Sequence, residues 1–333
     1  MIQKRTKDNL KNELRSNPIA VFGIVLILGM LFIAIFAPFI APHNPTAQYT
    51  EKAHQPPVGF GDEAEETTRL VDGEMQTVTE ENTGELTHMF GTDANGRDLA
   101  SRAVYGARTS ILVALTAVTI SVVVGTMVGL TAGYYGGKVD SGLMRFVDVI
   151  LAFPSLLVAL TLFPILGPLS VSIPDPIVMT GLASDQPTHI TFPATITLAI
   201  AAVTWVWIAR VARSEAVAVR NEDYITAAQI MGMSNVKIIK KHVLPNCITP
   251  ILVLGTVLVA SIIITESSLS FLGFSGTTLS WGYDIAQGRD YLGSSWWIAT
   301  VPGVFIVLTV IGINLIGDWI RDALDPGVDH GGA

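Results

Sequence analysis

Long apolar runs alternate with short polar segments along this chain. Residues 19–41 form the clearest run, 23 positions without a charge, where about 20 suffice to cross a bilayer core. Comparable runs occupy 110–133, 147–167, 191–212, 248–274 and 296–316. The pattern predicts six transmembrane helices. Lys4, Arg5, Lys7, Lys11 and Arg15 precede the first run. That arrangement also suits a secretory signal, but the run is longer than a signal's apolar region and more spans follow. It is read as a retained first helix. Pro154, Pro164, Pro193, Pro250 and Pro302 lie inside the runs or at their ends. Membrane helices tolerate this because neighbouring groups re-satisfy the freed backbone. Gly125, Gly129 and Gly133 recur every fourth position. They suit close helix–helix approach, or they are small residues facing lipid.

Composition agrees with a membrane protein. The 333 residues are 50% hydrophobic and only 14% charged, against about a quarter charged in soluble domains. Segments 1–18, 134–146, 209–247 and 317–333 hold 14 of the 20 Lys and Arg residues. Positive charge stays on the cytosolic side, so both termini are expected there. The single cysteine, Cys247, excludes an intrachain disulfide and a cysteine-rich metal cluster. The net charge of −8 comes mostly from residues 42–109, which carry 12 acids, densest at 62–85. That stretch reads as a hydrated, partly disordered insertion, or as adaptation to high salt, where screening removes self-repulsion.

The inner segment 221–245, NEDYITAAQIMGMSNVKIIKKHVLP, is the most elaborate polar stretch. Asn221 is expected to cap a helix whose first turn carries Glu222 and Asp223. Tyr224, Ala227, Ala228 and Met231 then share one face, and Gly232 stops the helix. Ser234 is expected to cap a second helix, faced by Val236, Ile239 and Val243, with Lys237, Lys240 and Lys241 toward its end. Pro245 is expected to end it before the next span. The unit offers its small apolar face to a partner's groove, or it packs on the inner ends of the spans.

The pattern Ala227-Ala228, Gly232, His242-Val243-Leu244-Pro245 resembles the "EAA" loop of permease subunits of ATP-binding-cassette importers. It is most similar to the peptide/nickel (dipeptide and oligopeptide) permease family, with Thr226 where that family has Glu. HMFGTDANGRDLASRAVYGAR at 88–108, GYYGGKVD at 133–140, MRFVDVILAFPSLLVA at 144–159, ESSLSFLG at 266–273 and the run 288–326 are similar too. The resemblance implies an all-α integral membrane protein of type I importer architecture, six transmembrane helices and a coupling loop. It divides the chain into a "C"-type N-terminal module at 1–61, an acidic extracytoplasmic insertion at 62–90 and a permease core at 91–333. It also implies partners: a homologous second permease, two cytosolic ATP-binding subunits that carry ATP and Mg, an extracytoplasmic solute-binding protein and membrane lipid, but no nucleic acid. Tyr224, Ala227, Ala228, Met231, Gly232, Ser234, His242, Leu244 and Pro245 would couple to the ATPases.

The remaining candidates are weaker. Gly136-Gly137-Lys138-Val139 resembles a phosphate loop only superficially, lacking the first glycine and the Ser/Thr after Lys. No cofactor is expected in this chain, and no nucleophile–base set suggests an enzyme. Glu266 lies deep in an apolar run, where an acid is costly unless paired or facing water. With Ser267 and Ser270 it is a pathway or gate candidate, or a helix-to-helix hydrogen bond; Asp148 is a weaker pathway candidate. Asp93-Ala94-Asn95-Gly96 lacks an EF-hand's later ligands and reads as a turn before a short helix. Asp98, Arg102, Arg108, Asp284, Arg289 and Asp290 are candidates for holding that helix or docking the binding protein. The six histidines show no paired spacing, so no metal is expected. Trp281, Trp296, Trp297 and Trp319 suit an interfacial belt. An autonomous secondary transporter or channel is the competing class; it would show intramembrane charged relays or paired broken helices. An importer of nickel or another non-peptide solute is the nearer alternative.

Overall fold

The computed structural model describes residues 14, 17–61, 65–71, 74–80, 84–274 and 278–324. Helix α1 (Pro18–Ile35) is capped by the Asn17 side chain, which accepts from the amides of Ile19 and Ala20 at 3.1 Å. A short α2 (Ala37–Ile40) follows. Then come the strands β1 (Glu65–Val71) and β2 (Glu74–Glu80), α3 (Leu99–Tyr135), α4 (Gly137–Leu151) and α5 (Ser155–Leu166). Strands β3 (Val171–Pro174) and β4 (His189–Phe192) lead to α6 (Ala194–Arg220). After it lie α7 (Asp223–Ile230), α8 (Asn235–Ile238), α9 (Leu244–Phe271), α10 (Trp281–Gly288) and α11 (Trp297–Leu324).

Among the described residues, five helical stretches are long and apolar enough to cross a membrane, and a bent pair makes up to six. The third predicted span is that pair: α4 and α5 meet at 91°. Pro154 sits at the N-cap of α5, where its ring excludes helical continuation. Apolar composition alone does not reveal this bend. The second span is longer than expected. Helix α3 starts at Leu99 and runs 37 residues, so the short helix expected after Gly96 is its first turns. The fold is not purely helical either: β1 pairs with β2 and β3 with β4, both antiparallel. The first hairpin falls in the acidic stretch expected to be partly disordered. Its two segments share β-compatible Thr and Val, a signal that the charge count masked.

The core is organised around α3 and α6, whose mutual contact is the most extensive in the molecule. Gly125, Gly129 and Gly133 face α6 rather than lipid. A Cβ at Gly125 would lie 2.5 Å from the Trp205 carbonyl oxygen, and one at Gly133 would lie 2.6 Å from that of Arg213. Only glycine permits backbones this close. Ala117, Ala209, Ala212 and Ala216 continue the packing, all fully buried. At the far end from the α6–α7 turn, Trp281 of α10 is buried and its Nε1 donates to the Ala103 carbonyl at 2.9 Å. Trp297 is buried too, donating to the Thr92 carbonyl at 3.1 Å. These two are packing anchors instead of belt residues, because each indole N–H finds a backbone carbonyl inside the fold. Trp296 remains partly exposed.

Gly125→Ala should lower stability by about 1–3 kcal/mol through overpacking. Gly29→Ala, where nothing lies within 4 Å of the added carbon, should be neutral or slightly stabilising. Thermal unfolding of the detergent-solubilised chain checks both.

Candidate functional site: the loop after α6

The long helix α6 ends at Arg220 with Asn221 as its C-cap. The expected role of Asn221 as an N-cap is therefore corrected: Glu222 holds that position for α7. Helix α6 simply extends further than its apolar run, so the break falls one residue later. Helix α7 ends as expected at Gly232, φ +79°. The Gly232 amide bonds the Gln229 carbonyl at 2.9 Å and the Met233 amide bonds that of Ala228 at 3.1 Å. This pair of bonds is a Schellman stop, which needs a left-handed residue at that site.

The face assignment changes. Ile225 and Ala228 point inward, 0% and 2% exposed. The outward residues are Tyr224, Ala227, Ile230 and Met231, with Ile230 and Met231 at 81% and 76%. Ala228 is thus a foothold on the core and does not belong to the outer face. Ile230 falls off the i, i+3, i+4, i+7 face that begins at Tyr224, so that periodicity does not mark it; a large apolar residue directly before Met231 and the stopping glycine is the signal for it. Ser234 occupies the N-cap position of α8 and is exposed. Ile238 and Val243 are buried, whereas Val236 points out. Burial raises the Tyr224 phenol above its usual value and nearby Glu222 adds to it, so it stays protonated at neutral pH.

Pro245 does not end the second helix. Residues 239–243 form a wide π turn, with the Leu244 amide bonded to the Ile239 carbonyl, and α9 continues directly. The widened turn accommodates a proline whose missing N–H and ring would disrupt regular α geometry. His242 and Leu244 are partly buried there and Pro245 is exposed. The Asn246 amide ties the region down, donating to the His242 carbonyl at 2.6 Å and reaching the Tyr224 hydroxyl at 3.4 Å. The end of α3 braces the loop from the other side. Tyr134 donates to Asn235 Oδ1 at 3.0 Å and accepts from Gln229 at 3.4 Å. The unit at 221–234 is therefore clamped between α3, α6 and α9, with an apolar tip left uncovered.

The other candidates separate by burial. Glu266 is 1% exposed and accepts from Ser270 Oγ at 2.8 Å, Ser110 Oγ at 3.1 Å and Ser267 Oγ at 3.4 Å. This serine cage joins α9 to α3, the helix-to-helix arrangement rather than an open pathway position. Asp148 lies instead in a groove of about 540 Å³ with Asp140, Arg145, Arg210 and Arg213. Arg210 donates to Asp148 at 2.6 Å, and Arg213 makes two bonds to Asp140 at 2.7 and 2.6 Å.

Four of the six docking candidates are internal. Asp98 caps α3, Arg102 pairs with Asp284, and all three are buried. Arg108 pairs with Asp175 of the loop between β3 and β4. These charges hold the end of α3 within the fold; burying them is tolerable because each has a charged or hydrogen-bonding partner. Only Arg289 and Asp290 are open, with side chains 56% and 75% exposed. Asp93 organises the turn before α3, accepting from the Asn95 and Arg97 amides at 2.9 Å and from the Arg97 side chain at 2.6 Å.

Comparison with known proteins bears on this arrangement. Residues 125–330 match the family described as binding-protein-dependent transport system inner membrane component. Residues 11–57 match the N-terminal TM domain of oligopeptide transport permease C. The chain is 34% identical over 309 residues to the di/tripeptide transport system permease protein DppC of Pseudomonas aeruginosa, covering 92% of this chain and 88% of that protein. It is 32% identical over 317 residues to the dipeptide transport system permease protein DppC of Bacillus subtilis, covering 94% and 83%. Among solved structures, an inward-facing MetNI methionine ABC transporter chain aligns with a TM-score of 0.49 at 17% identity, over 67% of this chain and 96% of that one. With its family match over most of its length and full-length relatives above 30% identity, this multi-span inner-membrane chain belongs to the family of binding-protein-dependent transport system inner membrane components.

Proposed function

We propose that this chain is one of two permease subunits of an ATP-driven importer of peptides, and that residues 221–234 are its coupling lever. The observation that carries the reading is the clamped loop with an uncovered apolar tip, Ile230 and Met231. Two large apolar side chains held in water at the end of a braced helix suit a cleft in a partner. The partner chemistry follows from the family: two cytosolic subunits that bind ATP and Mg, a homologous second permease and an external solute-binding protein. Peptide as the solute rests on the di- and tripeptide permeases to which the chain is similar. In this reading both termini are cytosolic, on the side of Lys237, Lys240 and Lys241. On the same reading, ATP is bound and hydrolysed by the partner subunits rather than by this chain. The division at residues 61 and 90 into N-terminal module, insertion and core is part of the same proposal.

Movement would pass from the ATPases through the lever to α6 and α3 as rigid bodies. The pathway reading then favours Asp148 over Glu266. Asp148 lies at the inner end of the third span, beside Asp140, Arg145, Arg210 and Arg213, which fall in segments expected on the cytosolic side, and an exposed acid at that depth is tolerable where it meets water. The α4–α6 groove would then form the cytosolic mouth of the pathway, where its mixed charges could accompany the two charged termini of a peptide.

Two experiments test this reading. Gly232→Pro in the reconstituted complex should leave the spans folded and ATP hydrolysis present while abolishing ATP-driven peptide uptake; wild-type coupling, or uptake without ATPase subunits, contradicts it. Asp148→Cys, in a Cys247→Ser background, should react with a charged, water-soluble thiol reagent, whereas Phe32→Cys on α1 should not. Equal protection of both positions would remove the groove from the pathway.

A further inference from the structure

No two histidines are paired in the sequence, yet the fold gathers a donor set from three separate segments. His43 lies just beyond α2, His88 ends the 3₁₀ turn Leu86–His88, and Asp98 caps α3. One donor atom from each lies within 4.8 Å of the others. Asp98 is fully buried and His88 is 2% exposed, while the His43 side chain is 25% exposed. The group sits at the end of α3 opposite the coupling lever.

Its hydrogen bonding is incomplete in one place. Asp98 Oδ2 accepts from the Ser101 amide at 2.8 Å and the Ser101 hydroxyl at 2.6 Å, which fixes the carboxylate. Asp98 Oδ1 lies 3.0 Å from His88 Nδ1. His43 Nδ1 is 3.8 Å from Asp98 Oδ2, too far for a hydrogen bond, and the atom is buried with no partner among the described residues. Leaving such a group unpaired costs on the order of 1–3 kcal/mol. The rest of His43 is fixed: its amide donates to Ser101 Oγ at 2.9 Å, and its ring lies 4.6 Å from that of His88.

We propose that His43, His88 and Asp98 bind a divalent cation of the zinc class, with water entering past His43 as the fourth ligand. Two imidazole nitrogens and a carboxylate oxygen are donors that such an ion takes, and imidazole disfavours magnesium or calcium. Tetrahedral bonds of about 2.0–2.1 Å place donor atoms roughly 3.3–3.4 Å apart. Here one donor atom from each residue lies within 4.8 Å of the others, with His88 Nδ1 3.0 Å from Asp98 Oδ1 and His43 Nδ1 3.8 Å from Asp98 Oδ2, so the three donors need only draw together slightly around an ion. The ion gives His43 Nδ1 its missing partner and offsets the buried negative charge. Ser101 supplies the outer hydrogen bonds that orient a ligating carboxylate. Bound there, the cation fastens the chain after α2 and the turn before α3 to the start of α3. The site is independent of the coupling lever and of the transported solute.

The test uses the full-length chain purified in detergent, stripped with chelator and titrated with Zn²⁺ alone. Wild type should retain one equivalent of zinc after desalting and gain several degrees in unfolding temperature. His43→Ala and His88→Ala should each lose both effects, with His43→Ala, at the partly exposed position, serving if His88→Ala fails to fold. No zinc retained by wild type at micromolar free metal, or retention unchanged in His43→Ala, would overturn the proposal.

Discussion

The close approach of α3 and α6 is the constraint on which the rest depends. Three glycines in successive turns let the α3 backbone reach the carbonyls of Trp205, Ala209 and Arg213. Contact at that distance leaves no room for side-chain adjustment, so the two helices behave as one body. In lipid, where burying apolar groups gives no advantage, such packing is a principal source of helix association. Both ends of the body then become reference points. One end presents Tyr134 to the loop at Gln229 and Asn235. The other carries Asp98, Arg102 and Arg108, each engaged inside the fold.

The two ends are built differently, and the difference suits different tasks. At the end that carries Asp98, the Arg102–Asp284 pair and the Trp281 indole lock α10 onto α3, and the Trp297 indole ties α11 to the turn before α3. The Glu266 cage extends that lock into α9, and the Trp281 amide reaches Ser110 at 3.4 Å. At the opposite end, the loop after α6 keeps Ile225 and Ala228 buried, with Ile238 of α8 buried beside them, while its tip stays bare. A rigid mount with an uncovered apolar tip suits the proposed coupling role, and one wall of the charged groove, α6, belongs to the same rigid body.

Much of this was legible in the sequence because it rests on local periodicity. The apolar runs, the glycine spacing and the stop at Gly232 each depend on residues within one or two turns. What escaped depends on direction or on distance along the chain. Hydropathy located residues 147–167 but could not show that Pro154 turns them through a right angle. Pro245 was expected to end a helix because the wide turn that accommodates it leaves no mark in residue type. The sequence leaves Arg102 open between holding the start of α3 and docking a partner, because its ion-pair partner, Asp284, lies 182 residues away. His43 and His88 looked unpaired because spacing along the chain says nothing about three segments meeting at one helix cap.

The central claim is that the bare tip of the 221–234 loop enters an ATPase cleft, and site-specific photocrosslinking tests it most directly. A photoreactive residue replacing Met231 in the assembled, ATP-hydrolysing complex should give an adduct with the ATP-binding subunit. The same residue at Phe32 on α1 should give none. Efficient hydrolysis with no adduct at Met231, or equal adducts at both positions, would contradict the account.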